Sequence, residues 1–307
     1  MSFFKNVVEY LIMTIELILY YILIFVAGTV FGSFFNVVAD RSVTGESVLF
    51  GRSKCDHCKK PLKAKNLFPI FSFLFQRGKC SECGQKLSWY YPFSEIVSGL
   101  IFVGVAHYTQ VFQNFGWVYL LAFFYLVSVF SVYLIIFLTD VKYRIIPDKV
   151  VYAGIWFVLL FFISYTVINI YLTYKAMAAD DFGKYLIASG FFTQQVIAVL
   201  KSFGIMLLSS LGIALFFLLL IFITRGRGMG GGDVKLGFLI GLVNAFPTNV
   251  LGIFLGFFLG ALFSLVLILF KRKTIKDTIA FGPFLILGSV VAFFFGDVIL
   301  NWYGGLF

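Results

Sequence analysis

Apolar stretches of about 20 residues or more recur along this chain, and they restrict its fold more than any other feature. Each stretch is long enough, as a helix, to cross the roughly 30 Å hydrocarbon core of a bilayer. Of the 307 residues, 61% are hydrophobic and only 12% are charged, which leaves too little polar surface for a soluble fold of this size. The sequence therefore predicts an all-α, polytopic membrane protein.

Apolar runs between charged breaks predict about eight transmembrane helices. The predicted spans are 8–33, 93–112, 117–139, 149–174, 194–224, 233–247, 249–270 and 280–303. The sixth is short, because 15 or so helical residues rise only about 22 Å. It crosses only if the bilayer thins or the preceding loop adds to the helix.

Basic residues set the predicted orientation, because cytosolic loops of membrane proteins are enriched in Lys and Arg. Twenty of the 24 basic residues lie on alternate loops. They are Arg41, Arg52, Lys54, Lys59, Lys60, Lys63, Lys65, Arg77, Lys79, Lys86, Lys142, Arg144, Lys149, Arg225, Arg227, Lys235, Lys271, Arg272, Lys273 and Lys276. These loops are expected in the cytosol and both termini outside. If the sixth span crosses, the last basic cluster, at residues 271–276, also lies in the cytosol, so a crossing is favoured. The net charge of +10 is attributed to topology and contact with anionic lipid rather than to nucleic-acid binding.

A more polar insert between spans 1 and 2 contains all four cysteines of the chain: Cys55, Cys58, Cys80 and Cys83. They form two C-x2-C pairs with 21 residues between them, close to the spacing of a zinc ribbon. The cytosol is reducing, which argues against two disulfides. Because four thiolates close the coordination of zinc, we expect a structural rather than a catalytic ion.

Two aspartates are the candidate catalytic groups. Asp140 ends span 3 and Asp233 opens span 6, so both are predicted at cytosolic helix ends. Two carboxyls at a partly dehydrated site resist being charged together, so one keeps its proton while the other draws a proton from water. That pair suits peptide hydrolysis. The alternative is that Asp233, and likewise Asp148 near the start of span 4, simply cap helices.

The glycines before Asp233 fit a catalytic site as well. Gly230 and Gly232 lack a Cβ atom, so they let another backbone come close and leave room for an extended substrate strand.

Taken in order, these motifs resemble the type IV prepilin peptidase family of GxGD-type membrane aspartic peptidases. The N-terminal signature is Gly32 to Val38 followed by Arg41. The two cysteine pairs come next, then Tyr91-Pro92 with Glu95. The run from Asp140 to Pro147-Asp148 and the block from Gly228 to Leu236 are similar to the two aspartate motifs of the family. The resemblance divides the chain into residues 1–40, the insert at 41–92 and a membrane peptidase core at 93–307.

The resemblance implies two activities in the cytoplasmic (inner) membrane. Asp140 and Asp233 would remove a short basic leader from type IV prepilin or pseudopilin precursors at the cytosolic face. The N-terminal region would then support methylation of the new amino terminus, with S-adenosylmethionine as the methyl donor. The residues implied in substrate contact or support are Gly230, Gly232, Lys235, Asn36, Arg41 and Glu95.

Several of these residues have a second interpretation from the sequence. Asn36 and Arg41 either anchor span 1 at the interface or touch substrate, and Glu95 either bonds a neighbouring helix or contacts substrate. Lys235 either acts on the charge of Asp233 or meets lipid headgroups. For the whole chain, the alternatives are a proton-coupled transporter and a noncatalytic assembly protein that recruits partners through its zinc insert.

Overall fold

A computed structural model describes residues 2–48, 50–55, 57–114, 116–226, 228–272, 274 and 279–305, with side chains from residue 14 onward except at residue 64. Three basic residues assigned above to cytosolic loops, Arg227, Lys273 and Lys276, lie outside the described residues. Within these ranges the protein is helical and contains no β-strand, only two isolated β-bridges.

Ten α-helices account for most of the described residues. They are α1 Ser2–Thr44, α2 Phe71–Phe75, α3 Tyr90–Thr109, α4 Trp117–Tyr143, α5 Asp148–Ala178, α6 Asp181–Ala188, α7 Phe191–Thr224, α8 Gly231–Asn244, α9 Thr248–Leu269 and α10 Gly282–Gly304. A 3-10 turn, Ala64–Asn66, lies in the insert. Eight of the ten helices correspond to the eight predicted spans.

Six of these helices, α1, α4, α5, α7, α9 and α10, are long and apolar enough to cross a membrane among the residues described. The prediction of an all-α membrane protein with a cysteine insert is confirmed, whereas the number eight is not. Of the eight helices that correspond to predicted spans, α3 and α8 are not among these six. Helix α3 has 20 residues but includes Ser94, Glu95 and His107, and α8 has only 14 residues.

Helix α1 is longer than its predicted span, which ended at residue 33. It continues through Asn36 and Arg41 to Thr44, because no glycine or proline interrupts it after Gly32 until Gly45. Gly45 has a positive φ of 77°, and its N–H donates to the carbonyl of Arg41 at 3.0 Å. A left-handed glycine that caps the last carbonyls is a common helix stop.

The segment 175–193, which lies between the predicted spans 149–174 and 194–224, is largely helical. Helix α5 extends to Ala178, and α6 begins after Asp180. The Asp180 carboxylate accepts the N–H of Gly183 at 2.9 Å, which is the hydrogen bond of an N-cap. Asp180 therefore starts a helix in a segment where no span was predicted.

The chain forms two compact units, Met1–Thr139 and Asp140–Phe307. In the first unit, α1 and α3 pack closely where small residues face each other. A Cβ atom added at Gly28 would lie 2.8 Å from Gly99 Cα, and one at Gly32 would lie 2.7 Å from Ser98 Cβ. Membrane helices use small residues in this way to bring their backbones together.

In the second unit, the short helix α8 is surrounded by α5, α7, α9 and α10. Leu236 and Ile240 are fully buried. The last turn of α8 forms hydrogen bonds with neighbouring helices. Asn249 Nδ2 donates to the carbonyl of Gly241 at 3.4 Å, and Asn244 Nδ2 donates to the carbonyl of Ser289 at 3.0 Å. A helix too short to span alone is therefore stable here, because neighbouring helices rather than lipid satisfy its ends.

Candidate functional site

Asp140 lies in the last turn of α4 and is only 5% exposed. Its Oδ2 accepts the N–H of Gly282, the first residue of α10, at 2.9 Å. The negative end of its own helix disfavours a carboxylate there, whereas the amino terminus of α10 favours one. The start of α10 therefore offsets the unfavourable position of Asp140 on α4.

Asp233 is the third residue of α8 and is 8% exposed. Its Oδ2 accepts the N–H of Gly230 at 3.1 Å, so the capping interpretation of this residue describes a real interaction. Capping uses only one oxygen. Within the described protein, the Oδ1 atoms of both Asp140 and Asp233 have no hydrogen-bond partner, which leaves one carboxyl oxygen of each residue available to water or substrate.

The two carboxyls belong to the same unit and interact electrostatically, since the charge of Asp140 acts on Asp233. Ile146 lies between the start of α8, which holds Asp233, and the start of α10, which holds the N–H group bound to Asp140. A Cβ atom added at Gly232 would be 2.8 Å from Ile146 Cβ, and one added at Gly282 would be 3.4 Å from Ile146 Cδ1. The amino termini of α8 and α10 therefore pack on one side chain from the loop that follows Asp140.

This packing changes the interpretation of the glycines before Asp233. The space beside Gly232 is used by Ile146 of the same chain. Beside Gly230, the nearest heavy atom to an added Cβ would be Asp233 Oδ2, at 3.9 Å. Room for a substrate strand is thus available at Gly230 rather than at Gly232.

Lys235 pairs with Asp148 rather than with Asp233 or with solvent alone. Its Nζ lies 2.7 Å from Asp148 Oδ1 and 5.2 Å from the ring centroid of Tyr152. The side chains are 29% and 59% exposed, so the ion pair contributes about 0–1 kcal/mol. Asp148 is the first residue of α5 and makes no side-chain cap; it joins the start of α5 to the start of α8.

Asn36 and Glu95 occupy the packed face between α1 and α3. Asn36 exchanges hydrogen bonds with the hydroxyl of Ser94, at 2.8 and 3.0 Å. Glu95 is buried, and its Oε2 accepts the N–H of Ile70 at 2.7 Å, with a further hydrogen bond from Ser33. No cation pairs with Glu95 in the described ranges.

Arg41 organises the loop that follows α1. Its Nη1 donates to the carbonyls of Ser47, Val48 and Phe50, at 2.9, 3.2 and 3.2 Å, and the side chain is buried. Of the two interpretations from the sequence, these contacts favour the anchor.

The four cysteines form two knuckles with the same hydrogen bonds. The backbone carbonyl of Cys55 accepts the N–H of Lys59, and the backbone N–H of Cys55 donates to the carbonyl of Lys60. Cys80 makes the same two backbone hydrogen bonds with Gly84 and Gln85, and all four distances are between 2.8 and 3.0 Å. Lys59 and Gly84 hold equivalent positions, with positive φ angles of 57° and 70°. The two knuckles therefore share one backbone conformation.

The sulfurs fit a zinc ion. All four Sγ atoms lie within 4.8 Å of one another. Tetrahedral zinc with Zn–S bonds of about 2.3 Å requires sulfurs about 3.8 Å apart, so a small contraction completes the site. The N–H groups of Glu82 and Cys83 lower the pKa of the Cys80 thiol to about 7, which favours the thiolate at that position, whereas the pKa of the Cys83 thiol is raised to about 11. The cluster can therefore hold zinc with no open position.

Replacing Cys80 with Ser should release the metal. We expect zinc content, measured by mass spectrometry of the purified protein, to fall below about one tenth of the wild-type value and the melting temperature to fall with it. His57→Ala is the matched control, because His57 is exposed beside the knuckle and is not needed as a ligand. Retention of zinc by Cys80→Ser would contradict the four-thiolate site.

Gly282 is the site residue that the sequence interpretation missed. A Cβ atom there would lie 2.7 Å from Asp140 Oδ2. The pair Gly282-Pro283 could have revealed it, because a proline in the first turn marks the start of a helix. A helix that starts there has a free backbone N–H group at the same predicted cytosolic level as the two aspartates.

Comparisons with known proteins agree with this arrangement of motifs. Residues 26–109 match the family described as Bacterial Peptidase A24 N-terminal domain. A prepilin leader peptidase/N-methyltransferase of Bacillus subtilis is 29% identical over 281 residues, which cover 92% of this chain and 96% of that protein. A protein of the same name from Legionella pneumophila is 27% identical over 83% of this chain and 76% of its own length. No solved structure matches the chain significantly.

Proposed function

The chain belongs to the type IV prepilin peptidase family, and from that premise we propose that it is a membrane aspartic endopeptidase for type IV prepilin-like precursors. One observation supports the proposal most strongly. The carboxyls of Asp140 and Asp233 are buried in one unit and close enough to interact electrostatically, each fixed through Oδ2 by a backbone N–H group and each with Oδ1 unused by the described protein.

The proposed reaction uses one ionised and one protonated aspartate. The ionised carboxylate takes a proton from water as the water oxygen attacks the scissile carbonyl carbon, and the protonated carboxyl donates to the carbonyl oxygen. A proton then passes to the amide nitrogen of the tetrahedral intermediate, and the C–N bond breaks. The products are a leader ending in a carboxylate and a mature chain with a free amine. The backbone N–H groups of Gly282 and Gly230 hold the carboxyls of Asp140 and Asp233 in position throughout the reaction.

The basic loops support a cytosolic site in the cytoplasmic membrane. Lys142 and Arg144 lie two and four residues after Asp140, and Arg225 lies eight residues before Asp233. With these loops inside, both termini face outward and the leader is cut on the cytosolic side.

Methylation is the second proposed activity, and the buried carboxylate of Glu95 is the observation that favours it. A buried carboxylate without a cationic partner is suited to hold a positively charged group, such as a new amino terminus or a sulfonium. S-adenosylmethionine, when bound, supplies the methyl group that the amine nitrogen attacks as the sulfur–carbon bond breaks. We assign Glu95 and Asn36 to orienting the amine, which attacks in its unprotonated form, and we assign the carboxylate of Glu95 to accepting the proton that the methylated nitrogen then releases.

Incubating the purified protein with a synthetic prepilin and S-adenosylmethionine tests both proposals separately. Mass spectrometry should report loss of the leader and, on the mature fragment, the gain of one methyl group. An intact precursor after long incubation would overturn the peptidase proposal. Cleavage without methyl gain would overturn only the second activity.

The packing of Ile146 predicts different effects at two adjacent glycines. Gly232→Ala forces a methyl group to 2.8 Å from Ile146 Cβ, whereas Gly231→Ala meets no protein atom within 4 Å. Catalytic groups must be held within about 0.5 Å of their productive positions, so we expect kcat for leader cleavage to fall about 10–100-fold in Gly232→Ala and less than about 2-fold in Gly231→Ala. Equal rates for the two variants would show that Ile146 does not position α8.

A further inference from the structure

An exposed apolar segment in the insert carries large side chains that have no role in zinc binding or in the two proposed reactions; its link to an assigned residue is through the backbone, where the N–H of Ile70 donates to Glu95. It comprises residues 67–75, and five large side chains in it are 43–85% exposed. They are Leu67, Phe68, Phe71, Leu74 and Phe75. Five exposed large apolar side chains within nine residues of an otherwise polar insert indicate a binding surface.

The local structure directs these side chains outward. In the single turn of α2, Phe71, Leu74 and Phe75 share one face, because they are spaced three and four residues apart. Phe73 lies on the other face, is 8% exposed and packs against Trp89 with ring centroids 4.8 Å apart. Phe73 therefore holds α2 on the insert while the opposite face remains uncovered.

A hydrogen bond fixes the segment at the level where α3 begins. The N–H of Ile70 donates to Glu95 Oε2, in the second turn of α3, at 2.7 Å. Trp89, Tyr90 and Tyr91 stand at the start of the same helix. Trp and Tyr are enriched at membrane–water boundaries, so the segment is expected at the depth of lipid headgroups.

The charge around the segment complements an anionic lipid surface. Between residues 64 and 81 there are three basic residues, Lys65, Arg77 and Lys79, and no acidic residue. Apolar side chains flanked by lysine and arginine are the features of protein segments that lie in the bilayer interface and attract anionic lipid.

We propose that residues 67–75 form an interfacial anchor that inserts into the cytosolic leaflet and binds anionic phospholipid. The anchor holds the zinc insert against the membrane surface. It requires that the insert faces the cytosol, as in the proposed function, but it does not depend on either enzymatic activity.

Lipid photolabelling of the full-length protein tests the anchor. The protein is placed in nanodiscs of phosphatidylcholine with or without phosphatidylglycerol, each containing a phospholipid with a diazirine near its headgroup, and adducts are mapped by peptide mass spectrometry. We expect lipid adducts on residues 67–75 of the wild-type protein, with at least about twice as many in nanodiscs that contain phosphatidylglycerol as in those that do not. In a Leu74→Ser/Phe75→Ser variant, we expect at least about 5-fold fewer adducts on these residues than in wild type.

Two controls keep the result interpretable. Trp117→Ser removes an equally exposed aromatic side chain at the start of α4, on the predicted outer side, and should leave labelling of 67–75 unchanged. Zinc content and leader cleavage in detergent show that the double variant is folded, because Leu74 and Phe75 belong to neither site.

Either of two outcomes would overturn the proposal. In the first, the membrane helices are labelled but residues 67–75 are not. In the second, an uncleavable prepilin peptide removes the labelling of 67–75, which would make this surface a substrate site instead. A lack of leader cleavage would refute the proposed function and leave the labelling result intact.

Discussion

Leader cleavage is expected to stop when either Asp140 or Asp233 is replaced by Asn, with kcat falling at least about 1,000-fold. Asparagine keeps the shape of the side chain and an oxygen that accepts the N–H of Gly282 or Gly230, so local structure should persist. It cannot take or give the proton that the reaction needs. The rate of leader release from a synthetic prepilin in detergent measures the effect.

The matched control is Asp297→Asn, in which an exposed aspartate of α10 is changed in the same way. Its kcat should stay within about 2-fold of wild type, because surface substitutions away from the site rarely matter. The same variants separate the rival functions: a transporter loses proton-coupled flux in liposomes, and an assembly protein loses neither flux nor partner recruitment. Normal cleavage by both Asn variants would refute the aspartic mechanism.

Gly282→Ala should be nearly as damaging, although residue 282 takes no part in proton transfer. The added Cβ would lie 2.7 Å from Asp140 Oδ2, closer than non-bonded atoms allow. Either the carboxyl rotates away from the N–H group or the start of α10 moves, and both displace one acid from the other. We expect kcat to fall about 100-fold with KM within about 3-fold, because orientation rather than binding is lost.

Gly304→Ala is the control for this variant, because it lies on the same helix and an added Cβ meets nothing within 4 Å. Separate kcat and KM values show whether catalysis or substrate binding is affected, and thermal unfolding shows whether α10 remains folded. If Gly282→Ala retained wild-type kcat, the contact between α10 and Asp140 would have no catalytic role.

Much of the fold was predictable because lipid leaves so few choices. Apolar runs bounded by charges placed the helices corresponding to α4, α5 and α9 within a few residues of their observed ends. The errors arose where local chemistry overrides hydropathy. Polar residues do not end a helix, so α1 continues past residue 33, and one aspartate at position 180 is enough to start α6.

The site was only partly predictable, for a different reason. Asp140 and Asp233 stand in recognisable motifs, so sequence alone could nominate them. Their partners depend on tertiary packing: Gly282 is 142 residues from the aspartate that it supports. Likewise, the pairing of Lys235 with Asp148 requires the starts of α5 and α8 to be adjacent, which no local pattern encodes.

The central claim is that two acids act together on one reacting group, and binding of a transition-state analogue tests it most directly. The measurement is the Kd of a prepilin-like peptide with a hydroxyethylene unit in place of the scissile bond, for wild type, Asp140→Asn, Asp233→Asn and the double variant. If both carboxyls hold the same hydroxyl, each single change weakens binding at least about 30-fold and the double change is hardly weaker than the worse single change. Losses that multiply in the double variant would mean that the two aspartates act independently, and would contradict the shared site.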